Sequence, residues 1–515
     1  MAFTRLQGTR QPALLLGTAL IACLAAGCGD QGHQGSASNM SATSPVSSDW
    51  PSNSAGQLAE RLIALLESGH TDRDTTTLAD FYRDNSSDAM RQAFPVDEQV
   101  SWLMQLRDDT GPLSLVTVTN STEGSFEGIL RTGTGAIFVR FTLVSSNGMI
   151  EGLLFEPVDS SEVLPADETP ASLEAILEGI QRNVDVPGVA AAVYRGGILV
   201  ESAAVGIQEF GSTRPVHVDD DFHVGSITKS MTAAVLAALV HDGVLSFDST
   251  VGEINPSLGA TENYESLTIR ELIQHVAGLP AMTAPGDEID RAMSHITGAP
   301  AEQREEFSRI LVNSDAWFGE RGRFEYSNAG YALAAHLAEY ASGTSWEDLM
   351  RKYVFTPAGM DTAGFGWPAS PDTPSRVRGH IELNGSLQPL PFGQYKLEGF
   401  MAPAGDVRCS VLDLAKWGQV QLTGFAGDSP PFDLEMISEL HTAHYDPTYA
   451  FGWSLSPRPG KSALVWHNGS AGTFYAHLQI DRDSDVVVAI VCNSGPATQP
   501  HVERAAQQIV SLILE

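Results

Sequence analysis

Basic residues are scarce: 30 Lys and Arg stand against 63 Asp and Glu, a formal charge of −33 over 515 residues. Phosphate binding needs a basic face, so nucleic acid is excluded as a partner. A solvated acidic surface keeps the chain soluble and calls for no cationic ligand. Cysteine is nearly absent, with Cys23, Cys28, Cys409 and Cys492 the four in the chain. No Cys-x-x-Cys pair, His-Glu-x-x-His or other metal-ligand spacing occurs, so no metal site is expected. The apolar N-terminal stretch Ala13 to Ala26 is too short to span a bilayer as a mature helix. What remains is ordinary for a globular protein: 43% hydrophobic residues, 48 Gly and 28 Pro, in a length that suits two or three domains.

The N-terminus reads as a targeting segment. Arg5 and Arg10 precede the apolar stretch, which ends in Leu24-Ala25-Ala26-Gly27-Cys28 and passes at once into polar Gly29-Asp30-Gln31-Gly32. Small residues before a cysteine resemble a bacterial lipoprotein signal, which implies cleavage before Cys28 and lipidation of its thiol. Cleavage before Cys23 would leave Leu24-Ala25-Ala26 on the mature chain, so Cys28 is preferred. An ordinary secretory signal would give the same compartment. The expected location is the bacterial cell envelope, with the membrane as a partner through the lipid anchor. Cys409 and Cys492 then remain, and nothing in the sequence brings them together. Two buried free thiols are expected, Cys409 at a helix start and Cys492 in a late strand.

The remaining organisation follows from periodicity. Residues 28–55 are rich in Ser, Gly, Asn and Pro, a flexible tether reaching on the order of 30 Å. From 56 to 160 the pattern is α+β. Leu58, Leu62, Leu65 and Leu66 recur at helical spacing, and a second helix is expected over about 96–107. Strands follow at 113–119, 125–131, 136–144 and 149–156, with Thr132-Gly133-Thr134-Gly135 as a hairpin signal. Ile137, Val139, Phe141 and Leu143 alternate with Phe138, Arg140 and Thr142, which buries one face of the third strand. This order weakly resembles the cone-shaped nuclear-transport-factor-like fold. It holds no titratable cluster, so an accessory role is expected, with ligand binding as the alternative. Residues 161–170 form a Pro- and acid-rich linker. The domain from 171 to 515 opens with a helix over 171–183 and a hairpin around Arg195-Gly196-Gly197, and closes with a strand over 485–492 and a helix over 502–514.

Three segments of this larger domain carry chemistry. Phe222-His223-Val224-Gly225-Ser226-Ile227-Thr228-Lys229 runs into a helical stretch. Ser226 falls at the helix N-terminus, where free N–H groups favour developing negative charge, and Lys229 lies one turn on along the same face. A serine needs a base to become a nucleophile, and a desolvated lysine can be that base. Taken alone, the spacing fits a helix cap with a solvated lysine equally well. Glu325-Tyr326-Ser327-Asn328 places Tyr326 and Asn328 two apart and on one side of an extended turn. The phenol can shuttle protons and the amide can hold the lysine or a carbonyl; a packed tyrosine beside a helix cap is the plainer alternative. Val465-Trp466-His467-Asn468-Gly469-Ser470 reads as a strand edge at which Gly469 admits a substrate backbone and the Ser470 N–H joins that of Ser226 as an oxyanion hole. His467 taken alone reads as a structural histidine.

Together these segments resemble the serine β-lactamase / DD-peptidase superfamily, with its Ser-x-x-Lys, Tyr-x-Asn and Lys-Thr-Gly or His-x-Gly motifs. Ser226, Tyr326 and His467 follow in the right order, 100 and 141 residues apart. Leu267-Thr268-Ile269-Arg270-Glu271-Leu272-Ile273-Gln274-His275-Val276-Ala277-Gly278-Leu279-Pro280 and Pro403-Ala404-Gly405-Asp406 to Leu414-Ala415-Lys416-Trp417 are similar to supporting stretches of the class C β-lactamase-related group. The resemblance implies an α+β, β-lactamase-like catalytic domain: an antiparallel sheet flanked by helices plus a helical subdomain. It implies acyl transfer from a small-molecule or peptide acyl substrate, with Ser226, Lys229 and Tyr326 catalytic and Asn328, His467, Gly469 and Ser470 binding substrate and oxyanion. No metal or organic cofactor is implied. Two residues depart from the pattern. His467 stands where many relatives carry the lysine that helps bind a substrate carboxylate, and Asn468 stands where they carry Thr or Ser. A mostly neutral histidine holds a carboxylate less well, which shifts the expectation toward esterase or D-amino-acid peptidase chemistry. A β-lactamase or cell-wall DD-carboxypeptidase is the alternative within the class. A penicilloyl-binding sensor or scaffold without turnover is the alternative from another class.

Overall fold

The computed structural model describes residues 50–514, apart from 69–75, 111–112, 132–137, 159–171, 185, 284–287, 374–375, 384–385, 394–396, 425–432 and 496–497. The targeting segment, Cys28, most of the tether, the 161–170 linker and the Thr132–Gly135 turn lie outside the described residues. The chain divides into two compact units, residues 1–167 and 168–515.

In the first unit the leucine periodicity produces α1 (Ser54–Ser68), with Leu58, Leu62, Ile63 and Leu66 buried. Two helices that the sequence reading did not anticipate come next, α2 (Thr76–Asn85) and α3 (Asp88–Ala93). Charged residues dilute α2, yet Leu78, Phe81 and Tyr82 sit at i, i+3 and i+4 and are all buried. The Ser87 hydroxyl caps α3 by accepting from Met90 N–H. Helix α4 (Val96–Thr110) leads into the antiparallel meander β1 (Ser114–Ser121), β2 (Ser125–Arg131), β3 (Phe138–Ser146) and β4 (Met149–Val158), paired in chain order. On β3, Val139, Phe141 and Leu143 have no exposed surface, as the alternation requires. Phe141 stacks on Phe155 at 4.5 Å in a core that also takes in α1, α2 and α4.

The second unit opens with α5 (Leu173–Asn183) and the hairpin β5 (Gly188–Arg195) and β6 (Ile198–Gly206). These strands meet β12 (Ser454–Ser456), β13 (Leu464–Gly469), β14 (Tyr475–Asp481) and β15 (Val486–Cys492) in one antiparallel sheet of order β12-β13-β14-β15-β5-β6. Every residue of β15 is buried, because both faces of the sheet are covered. Val486, Val488, Ile490 and Cys492 pack under α5 and the C-terminal helix, while Val487, Ala489 and Val491 face the main core. Two-sided burial explains an unbroken apolar run where a half-exposed strand would alternate.

The main core surrounds α6 (Thr228–His241), whose residues from Thr228 to Leu239 are all buried. A helix apolar on every side belongs at the centre of a domain. Around it lie α7 (Ile269–Ile273), α8 (Pro300–Val312), α9 (Asn328–Ser342) and α10 (Val411–Thr423), and α11 (Gln499–Leu514) closes the chain. A small sheet pairs β7 (Asp221–His223) and β8 (Gly364–Phe365) with β11 (Val407–Ser410) between them, and β9 (His380–Leu383) pairs with β10 (Ser386–Pro389). Cys409 corrects the expectation of a helix start: it lies in β11, and α10 begins two residues later, capped by Ser410. Cys409 and Cys492 are both free and buried. Both units are α+β. Among the described residues no helix is long and apolar enough to cross a membrane.

Candidate active site

Strand β7 ends at His223, and the chain turns through Gly225, Ser226 and Ile227 into α6. Gly225 has φ +52, in the left-handed region, and a Cβ on it would lie 2.4 Å from the Ser470 amide nitrogen. Across the approach, a Cβ on Gly469 would lie 2.0 Å from the Val224 carbonyl oxygen and 2.6 Å from the Ser226 amide nitrogen. Only two facing glycines let this turn and the end of β13 come so close. His223 supports the turn from below. Its Nδ1 accepts from Gly225 N–H at 3.3 Å, its Nε2 lies 3.4 Å from Asp406 Oδ1, and its ring stacks on Trp367.

Lys229 lies one turn from Ser226 and is fully buried, its Nζ 3.1 Å from Ser226 Oγ and 2.7 Å from the Ala404 carbonyl oxygen. Burial holds its pKa well below the ordinary lysine value. The ammonium position also lies 4.8 Å from the Tyr326 ring centroid and 5.5 Å from that of Tyr331. Burial drives the Tyr326 phenol well above its ordinary pKa, an effect that a contact with Ser226 partly offsets.

His467, on the inward face of β13, is buried, and its pKa is lowered to about 3, chiefly by desolvation and then by the nearby Lys229. Its Nδ1 faces the Asn468 carbonyl, so that nitrogen carries the proton of the neutral ring. The Nε2 atom, 3.2 Å from Tyr449 Oη, then accepts from that hydroxyl. Ser470 Oγ donates to the Phe474 carbonyl at 2.6 Å, which leaves its backbone to face the nucleophile turn.

The structure thus gathers Ser226, Lys229, Tyr326, His467, Gly469 and Ser470 around one point. Asn328 follows Tyr326 by two residues. It is the first residue of α9, and its Nδ2 donates to the Met282 carbonyl at 2.8 Å, with Oδ1 unpartnered among the described residues. The cap of α9 is Ser327, whose hydroxyl accepts from Gly330 N–H. Sequence reasoning missed the Ala404 carbonyl, His223, Tyr449 and His275. Ala404, His223 and His275 lay inside the motif-bearing segments, but none of these residue types signalled its role. A small open pocket of about 30 Å³ lies between Trp367, Val377, Arg378, Leu390 and Phe392. Trp367, in the wall of this pocket, donates to Thr473 Oγ1 at 2.8 Å in the loop between β13 and β14. Among the described residues no cluster of metal-ligating side chains occurs.

A serine at a helix start, a buried lysine one turn on and an antiparallel sheet edge against both define a serine hydrolase. The chain belongs to the β-lactamase family, whose family model matches residues 173–512. It is 27% identical over 339 residues to penicillin-binding protein 4 of Amycolatopsis lactamdurans, a match covering 62% of this chain and 84% of that protein. It is 28% identical over 248 residues to the esterase EstB of Burkholderia gladioli, covering 45% and 61% respectively. Among solved structures it is similar to the octameric penicillin-binding protein homologue from Pyrococcus abyssi, with a TM-score of 0.53 and 24% identity over 65% of this chain and 76% of that one. That likeness establishes the β-lactamase-like fold.

Proposed function

We propose that the protein hydrolyses acyl substrates, esters or D-amino-acid peptides, through an acyl-enzyme on Ser226. The observation that carries this is the Lys229 amine, buried 3.1 Å from Ser226 Oγ with its pKa depressed by desolvation. As the free amine, Lys229 donates one N–H to the Ala404 carbonyl and turns its lone pair to the Ser226 hydroxyl. It takes the hydroxyl proton as Oγ bonds to the substrate carbonyl carbon. The carbonyl oxygen becomes an oxyanion, held by the N–H groups of Ser226 and Ser470. Tyr326 keeps its proton at neutral pH, so it donates to the departing group as the tetrahedral intermediate collapses, and the proton on Lys229 replenishes it. Water then attacks the acyl-enzyme along the same path, releasing the acid and restoring Ser226.

Neutral His467 supports the ester reading, because no cation stands at the position where many relatives hold a substrate carboxylate. The esterase relative supports it independently. The test is an activity screen. Turnover of p-nitrophenyl acetate separates enzyme from non-turnover sensor, and nitrocefin against D-Ala-D-Ala peptides separates the chemistries. A fluorophosphonate should label Ser226 alone, and Ser226→Ala should abolish labelling and turnover. Lys229→Ala should lose on the order of 10²–10⁴ in rate. A folded Ser226→Ala protein with wild-type ester turnover would defeat the reading.

We also propose that the mature chain begins at a lipidated Cys28 and is tethered to the bacterial envelope. Small residues before Cys28 and polar chain after it support this. Mass spectrometry of the mature N-terminus should find a diacyl- or triacyl-modified Cys28; an unmodified chain starting elsewhere refutes it.

A further inference from the structure

His275 follows α7 by two residues and has φ +61. A non-glycine residue in the left-handed region is uncommon and persists only where its surroundings hold it there. Two hydrogen bonds show what holds it. Glu325 N–H donates to the His275 carbonyl oxygen at 2.7 Å, and Ser327 N–H donates to His275 Nδ1 at 3.0 Å. The residue between those two donors is Tyr326. The imidazole is buried and lies 4.4 Å from the Tyr326 ring, centroid to centroid. His275 therefore grips the chain on both sides of the phenol, by main chain on one side and by ring on the other, and packs against the phenol itself. A residue without a side-chain acceptor at that place could make the first bond but not the second. One with φ confined to negative values could not aim both.

We propose that His275 is a positioning residue that fixes Tyr326 against Ser226 and Lys229 by tying down the peptide groups flanking it. The inference rests on the reading of Tyr326 as the proton donor. His275 touches no reacting atom and acts through Tyr326.

The test is a double-mutant cycle on the full chain with p-nitrophenyl acetate, with folding checked by circular dichroism. Tyr326→Phe should lose on the order of 10²–10⁴ in kcat. His275→Ala should lose on the order of 10² in kcat, as a small misplacement of a catalytic group does, with KM unchanged. His275→Asn should recover most of the rate, because Asn tolerates the left-handed region and offers Oδ1 near the place of Nδ1. In the Tyr326→Phe background His275→Ala should cost nothing further. Equal rates for His275→Ala and His275→Asn, or losses that multiply between His275→Ala and Tyr326→Phe, overturn the proposal and leave the role of Tyr326 standing. A Tyr326→Phe enzyme at wild-type rate overturns both. If His275→Ala does not fold, His275→Asn against His275→Gln carries the test: the longer side chain displaces the acceptor and must lose rate where Asn keeps it.

Discussion

Burial of Lys229 acts in opposite directions on rate and on stability. The folded chain holds the amine deprotonated well below its ordinary value of 10.5, whereas the unfolded chain protonates it up to that pH. Between the two values the unfolded state binds the extra proton, so this residue's effect on stability becomes more favourable as pH rises and worsens as pH falls. Lys229→Met should be inactive, and its stability relative to wild type should be greatest near pH 7 and decline toward pH 10. Urea melts at the two pH values decide this; a difference independent of pH would mean that Lys229 stays charged in the fold. Ser226 and Lys229 were legible in the sequence because their partnership is local, one helical turn. Ala404 reaches Lys229 from 175 residues away, and Tyr449 and His275 arrive from separate loops. No spacing rule reports such contacts, and a lone carbonyl has no residue signature.

At the level of elements, the site is a seam between a turn and a strand end. Gly225 and Gly469 close that seam, each where a side chain would strike the opposite backbone. Gly469→Ala should push the end of β13 away from Ser226 and pull the Ser470 N–H out of register with the Ser226 N–H. The expected loss is on the order of 10²–10³ in kcat, that of one oxyanion donor. Ester kinetics measure it, and a Gly469→Ala enzyme with wild-type kcat would show that the two amides do not act together. The sequence already marked Gly469, β3 and β15, because alternation and apolar runs report burial directly. It concealed α2, where charged residues interrupt a three-residue apolar stripe, and α3, which spans six residues. Cys409 was misplaced because a strand of four residues directly abuts the helix that Val411 begins.

For the whole molecule, each unit owns a separate hydrophobic core, and the residues gathered around Ser226 all come from the second. A chain beginning near Pro165 should therefore fold and hydrolyse small esters at the full-length rate. A folded but inactive truncation would mean that the first unit contributes to catalysis. The sheet of the second unit has a consequence in time. Strand β5 pairs on one side with its hairpin partner β6 and on the other with β15, about 300 residues further along. At ordinary translation speeds of 5–20 residues per second, roughly 15–60 s separate their synthesis. During that interval one hydrogen-bonding edge of β5 has no strand partner, and the end of β13 that faces Ser226 is made only late in it. The central sheet of the catalytic unit therefore closes only once its last strand has been made.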